Sequence, residues 1–108
     1  MRHVTTWLGA PNGGSFAERR FEATGRTRRI ILQASNFTTV PFMLIGTDHV
    51  AVMHRRLAER MAVYLPLRIS ALPFAFPAMR EMVQYHRVRE DEPGLTWLID
   101  MLVRAANP

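Results

Sequence analysis

Residues 35–59 read SNFTTVPFMLIGTDHVAVMHRRLAE, and this run decides the fold class. It follows a short apolar segment, residues 30–34 (IILQA), bounded by polar residues as a buried strand is. Thr38 or Thr39 then caps a short helix over residues 40–45. Pro41 is tolerated there because first-turn N–H groups have no intrahelical acceptor. Gly46 supplies the stop, and residues 49–53 (HVAVM) read as a further strand. Residues 55–64 read as a helix with Leu57, Met61 and Tyr64 on one face, ended by Pro66.

Working outward, residues 3–7 (HVTTW) are β-rich and predict the first strand. Ala10-Pro11-Asn12-Gly13-Gly14 is turn chemistry. Ser15 and Glu18 match a capping box: the hydroxyl accepts from the Glu18 N–H, and the carboxylate reaches back to the Ser15 N–H. A helix over residues 16–23 follows, closed by Gly25. Downstream, residues 67–72 predict a fourth strand, and Pro73 and Pro77 bracket a stiff link. Residues 78–87 suit a helix through Met79, Met82, Val83 and His86, or a strand. Asp91-Glu92-Pro93-Gly94 opens a last helix with Leu95, Leu98, Ile99 and Leu102 in one stripe. Alternation of this kind predicts an α/β fold, a mainly parallel sheet flanked by helices.

The bulk numbers bound the function. With 108 residues the chain is one domain or part of one. There is no cysteine, hence no disulfide, thiolate metal site or Cys nucleophile, which fits a reducing compartment. The net charge is +5 and every basic residue is Arg, but Glu18, Glu22 and Glu59 lie within or beside the Arg clusters. Such spacing makes solvated pairs on helices rather than a phosphate-binding stripe. No apolar run is long enough to span a bilayer, and the first residues lack a signal-peptide core.

Enzyme chemistry finds no foothold. There is no GxGxxG after a strand, no GxxxxGK[ST], HExxH or GxSxG. His49 and His54 do not share a helix face, and His3 and His86 are distant in sequence, so no metal site or cofactor is expected. The methionines read as core filler. Ligands of parallel sheets sit beyond the carboxyl ends of strands. Two such loops stand out, each entering a helix whose free N–H groups favour an anionic group. The first offers Gly13, Gly14, Ser15 and Phe16; the second offers Asn36, Phe37 and Thr38. Glycines admit a ligand to the backbone, the Phe rings form apolar walls, and the short polar side chains supply handles. The competing reading is purely structural: Ser15 only caps, the Phe rings are core, and the Thr pair only starts a helix.

Residues 35–59, residues 79–87 and the Pro93-Gly94-Leu95-x-Trp97-Leu98 helix start together resemble the effector-binding domain of LysR-type transcriptional regulators, in their nodulation-regulator-like branch. The resemblance covers nearly the whole chain. It implies a partial periplasmic-binding-protein type 2-like domain, with residues 1–66 as the second subdomain. Residues 67–108 then supply a crossover strand, a return strand at 79–85 and a C-terminal helix completing the first subdomain. It also implies a non-enzymatic, cytoplasmic, effector-sensing fragment without its DNA-binding headpiece. Its partners would be a small organic effector and further copies of itself, with DNA reached only through the headpiece. Alternatives are a small solute-binding protein of periplasmic-binding-like fold and, behind it, a basic nucleic-acid-binding domain. The stripe on the last helix and residues 79–85 are expected to expose apolar surface.

Overall fold

The structure is a computed structural model, and it describes residues 1–9 and 14–107. It contains two compact units, Met1–Pro77 and Ala78–Pro108. In the first, β1 (Arg2–Thr6) and β2 (Arg29–Ala34) pair in parallel. Parallel neighbours require a crossover, and α1 (Phe16–Ala23) supplies it. Gly25, at φ +65°, turns the chain out of α1 at a conformation that side chains with a Cβ resist. Arg2 pairs with Arg29 and Thr6 with Ala34, but the register slips after His3, so that Ile31 has no partner on β1. The α/β reading with parallel strands therefore holds at this coarse level.

Pleating sends successive side chains to opposite faces. Val4, fully buried, packs with Ala34 and with Val40 of a 3-10 turn (Val40–Leu44). Met43, Leu44, Ala51 and Met53 close over this small core. On the other face Thr5 meets α1 through Glu18, whose carboxylate accepts from the Thr5 hydroxyl and from Arg28. Glu18 and Arg28 are both nearly excluded from solvent. This is half of the expected capping box. Ser15 Oγ does accept from the Glu18 N–H at 3.3 Å, but the carboxylate is bound to Thr5 and Arg28. A buried carboxylate requires a charge partner, and a guanidinium satisfies it better than one amide does.

Several other expectations are corrected. Within residues 49–53 only Val50 pairs, giving its N–H to Arg2 O (3.0 Å) and accepting from Val4 N (2.9 Å). Its neighbours Ala51 and Met53 pack on the core instead of extending a ladder. The segment at 40–45 is a 3-10 turn that ends at Leu44, and Thr39 caps it without a side-chain bond. The Thr38 and Thr39 hydroxyls are held instead by Asn36. The next helix, α2, ends early (Arg55–Ala62): Leu65 N bonds Met61 O, and Tyr64 is exposed. Residues 67–72 form no strand, and neither do residues 79–85. Apolar alternation alone does not make a strand; a neighbouring chain must accept and donate the ladder bonds.

The second unit holds a 3-10 turn (Arg87–Arg89) and the helix α3 (Pro93–Ala106). Arg89 grips Glu92 through Nε (3.0 Å) and Nη2 (2.8 Å), just before the helix, and this pairing holds the Glu92 carboxyl below its usual range. Trp97, Leu98, Met101, Leu102 and Val103 are exposed on α3, as are Met82, Val83 and Tyr85 before it, so the expected exposure holds in part, with Met79, Leu95 and Ile99 half-buried. Among the described residues no helix is long and apolar enough to cross a membrane.

Candidate functional site

Because β1 and β2 run in parallel, their carboxyl ends lie on one edge of the sheet. Trp7, just past β1, donates its N–H to Ala34 O at 2.8 Å and forms an antiparallel bridge with Gly14. The loops after the two strands are thereby anchored to neighbouring strand ends. Gly14 is tightly placed: a Cβ there would approach Glu18 Cβ at 3.0 Å, so the glycine lets the chain pass close to α1. Ser15 is buried and caps α1. Phe16 stacks edge-on against Phe76, with ring centroids 6.2 Å apart, and Arg20 lies over its ring. Gly13 falls outside the described residues.

In the second loop Asn36 organises the turn. Its Oδ1 accepts from Thr39 N (2.8 Å), Thr39 Oγ1 (2.8 Å) and Thr38 Oγ1 (2.9 Å). This is the short-range side-chain-to-backbone bonding that makes Asn a turn residue. Phe37 is half-buried and meets the His54 ring edge-on at 5.3 Å. His54 stands at the start of α2, so the contact ties the loop after β2 to the end of the third parallel segment. Sequence reading passed over His54 because no motif surrounds it; its tie to Phe37 is purely tertiary.

The opposite edge, where the parallel segments begin, carries a cavity of about 1140 Å³. His3, Arg28, His49 and Phe74 are in its wall, together with Arg26 and Arg68. None of the described rim residues lines it. Among the described residues the Nδ1 atoms of both His3 and His49 are buried without a hydrogen-bond partner, while His49 Nε2 lies 3.7 Å from Asp48 Oδ1. Arg26 lies over Phe74 (4.3 Å to the ring centre) and Arg28 over Phe21 (3.9 Å). Asp48 is held below the usual carboxylate range by Arg2, whose Nη2 donates to both oxygens (2.9 and 2.7 Å). Among the described residues no three His, Cys, Asp or Glu side chains gather at metal-binding spacing.

Part of the positive charge is matched side by side. Arg2, Arg28 and Arg55 in the first unit, and Arg89 and Arg104 in the second, each face a carboxylate, which lowers the free cationic charge of either unit. Duplex DNA binding draws on free cationic charge.

Comparison with known proteins gives the chain its relatives. It is 33% identical over 98 residues to Nodulation protein D of Azorhizobium caulinodans, covering 91% of this chain and 31% of that protein. It is 32% identical over 107 residues to Nodulation protein D 1 of Rhizobium leguminosarum bv. phaseoli, covering 99% and 34%. The Nodulation protein D 1 of Mesorhizobium japonicum matches at 33% over 107 residues, with the same coverage of 99% and 34%. The chain thus spans about a third of the length of the curated relatives it matches. No family model and no solved structure matches.

One consequence of the edge chemistry is measurable. Burial first, then the charges of Arg28 and the amino terminus, hold the His3 imidazole below its ordinary 6.5, with Glu18 opposing. The unfolded chain therefore takes up a proton at a pH where folded His3 resists it. Folding stability attributable to His3 is complete above the unfolded pKa. It declines as the pH falls below it and levels off beneath the folded pKa. Urea unfolding from about pH 7.5 to about pH 5 is expected to show this decline and to show less of it in His3→Asn. An identical pH slope in the variant contradicts the assignment.

Proposed function

We propose that this chain, homologous along its length to about a third of the Nodulation protein D chains, is an effector-sensing piece of a LysR-type transcriptional regulator. The observation that carries the reading is the relationship itself, which runs over 99% of this chain in two of the relatives described above. Those relatives are transcriptional regulators rather than enzymes. The absence of a catalytic motif in the sequence agrees.

In this reading the fold is a partial periplasmic-binding-protein type 2-like domain. Residues 1–66 form its second subdomain, and residues 67–108 belong to the crossover and the C-terminal segment that completes the first. The effector site is the rim beyond β1 and β2, with Gly13, Gly14, Ser15, Phe16, Asn36, Phe37 and Thr38 as its lining. Two features support the rim. The loops leave adjacent parallel strands on one edge, where α/β sheets take ligands. Each also carries a glycine, amide or hydroxyl beside an aromatic ring. The effector is a small organic molecule bearing a carboxylate or phenol. It shifts the regulator between two arrangements only by its differential affinity for them. DNA contact belongs to a headpiece outside this sequence, and the compartment is the bacterial cytoplasm.

A hybrid tests this directly. The chain replaces its homologous third of the Rhizobium leguminosarum Nodulation protein D 1, and promoter output is read against a panel of aromatic acids and flavonoids. The hybrid is expected to respond to at least one panel member, and Asn36→Ala is expected to lower that response about tenfold or more, as losing a hydrogen-bonded positioning group does. A hybrid that occupies its promoter but ignores the whole panel contradicts the reading. So does one whose response is untouched by Asn36→Ala together with Phe37→Ala.

Self-association belongs to the same proposal. The exposed Trp97, Leu98, Met101 and Leu102 form an apolar stripe of the kind that marks an interaction surface. Light scattering is expected to give at least twice the 12.4 kDa chain mass, with Trp97→Glu/Met101→Glu reducing it. A monomer throughout a concentration series refutes the association.

A further inference from the structure

We infer that the cavity where the parallel segments begin is a second ligand site, distinct from the proposed effector rim, for a small organic anion with an apolar body. Three observations carry it. The first is size and composition: the cavity measures about 1140 Å³, and Phe74, Leu44, Leu67 and Leu72 give it apolar wall. Small-molecule sites are concave and mostly apolar, with few charged groups that fix orientation.

The second is charge. Three arginines and one aspartate line the space: Arg26, Arg28, Arg68 and Asp48. Arg28 is matched by Glu18 and Asp48 by Arg2, both outside the lining. That leaves Arg26 and Arg68, neither of which has a carboxylate within ion-pair distance among the described residues. Arg26 is pre-positioned by its stacking on Phe74. A planar guanidinium held by a ring is suited to a carboxylate, which it binds through paired N–H groups.

The third is the pair of wall histidines. His3 Nδ1 and His49 Nδ1 are buried with no hydrogen-bond partner. Polar atoms in such places are nearly always satisfied, and each exception calls for an explanation, a bound group being one. Turning either ring toward a ligand breaks no existing Nδ1 bond. The site therefore combines a cationic end, an aromatic wall and two imidazoles whose Nδ1 atoms have no partner among the described residues, although His49 Nε2 lies 3.7 Å from Asp48 Oδ1. Its position at the amino ends of the strands separates it from the rim beyond their carboxyl ends, so its existence does not depend on the rim being an effector site.

Phenylacetate is the probe, with inorganic phosphate as the charge-only control and benzyl alcohol as the apolar-only control. Titrations into the full chain are followed by NMR at the histidine rings. Phenylacetate is expected to shift His3 and His49 along a saturating curve, while both controls bind at least about tenfold more weakly, since each lacks one of the two contributions. Arg26→Gln/Arg68→Gln, two exposed positions, is expected to weaken phenylacetate about tenfold or more with an unchanged far-ultraviolet circular dichroism spectrum. Glu59→Gln, an exposed position on α2 outside the cavity wall, leaves the affinity as it was. Three results overturn the proposal: no saturable shift at the two histidines, equal binding of phosphate or benzyl alcohol, or phenylacetate binding as tight in the double arginine variant as in the parent chain.

Discussion

The fold of the first unit turns on one carboxylate. Glu18 sits on α1, Thr5 on β1, and Arg28 immediately before β2; the carboxylate is hydrogen-bonded to both of the others. One side chain thus joins the three elements of a parallel β-α-β unit. The hydrophobic core is small, with Val4, Phe21, Ala34, Val40 and Pro41 buried among the described residues. In so small a core, the polar clamp sets how α1 lies on the sheet. A charged pair shielded from water contributes little net stability when intact, because desolvation offsets much of the attraction. Leaving one partner alone is another matter, costing about 3–5 kcal/mol. The pair therefore specifies an arrangement more than it adds strength.

From that clamp the two edges of the sheet follow. The parallel pairing places both loop anchors, Trp7–Gly14 and Asn36, at the carboxyl edge. The same pairing gathers His3 and Arg28 at the amino edge, where the chain around residues 47–52 and 66–74 encloses the cavity. One edge carries the rim proposed for the effector, and the other carries the anion site inferred from unmatched charge and two unpartnered imidazole Nδ1 atoms. Arg28 connects these descriptions, as it belongs both to the clamp and to the cavity wall.

The sequence made part of this legible. Strand β1, helix α1 with its Ser15 cap and glycine exit, and strand β2 were all readable from local chemistry, since caps, glycine stops and short apolar runs act within a few residues. Helix α3 was readable for the same reason. What failed was whatever needed a partner. Residues 67–72 have strand-like alternation but no neighbour to complete a ladder, residues 79–85 carry helical spacing and were expected as a strand only from the family resemblance, and residues 49–53 pair at Val50 alone. The destination of the Glu18 carboxylate was also beyond local reading. A capping box uses groups three residues apart, whereas Thr5 and Arg28 lie thirteen and ten residues away. At the candidate site, Ser15 and Asn36 were visible as turn and cap residues; the meeting of Phe37 with His54 and the gathering of His3, His49 and Arg26 around one cavity were not. Those contacts arise only once the strands are side by side.

The most direct test is a double-mutant cycle on the clamp, with Glu18→Gln, Arg28→Met and the combination, each unfolded in urea and followed by amide exchange at Trp7. A buried, mutually dependent pair predicts a coupling energy of about 2 kcal/mol or more, with protection of the Trp7 amide falling in both single variants and partly restored in the double. Additive losses, with the Trp7 amide equally protected in every variant, would mean that Glu18 and Arg28 do not hold the parallel unit together.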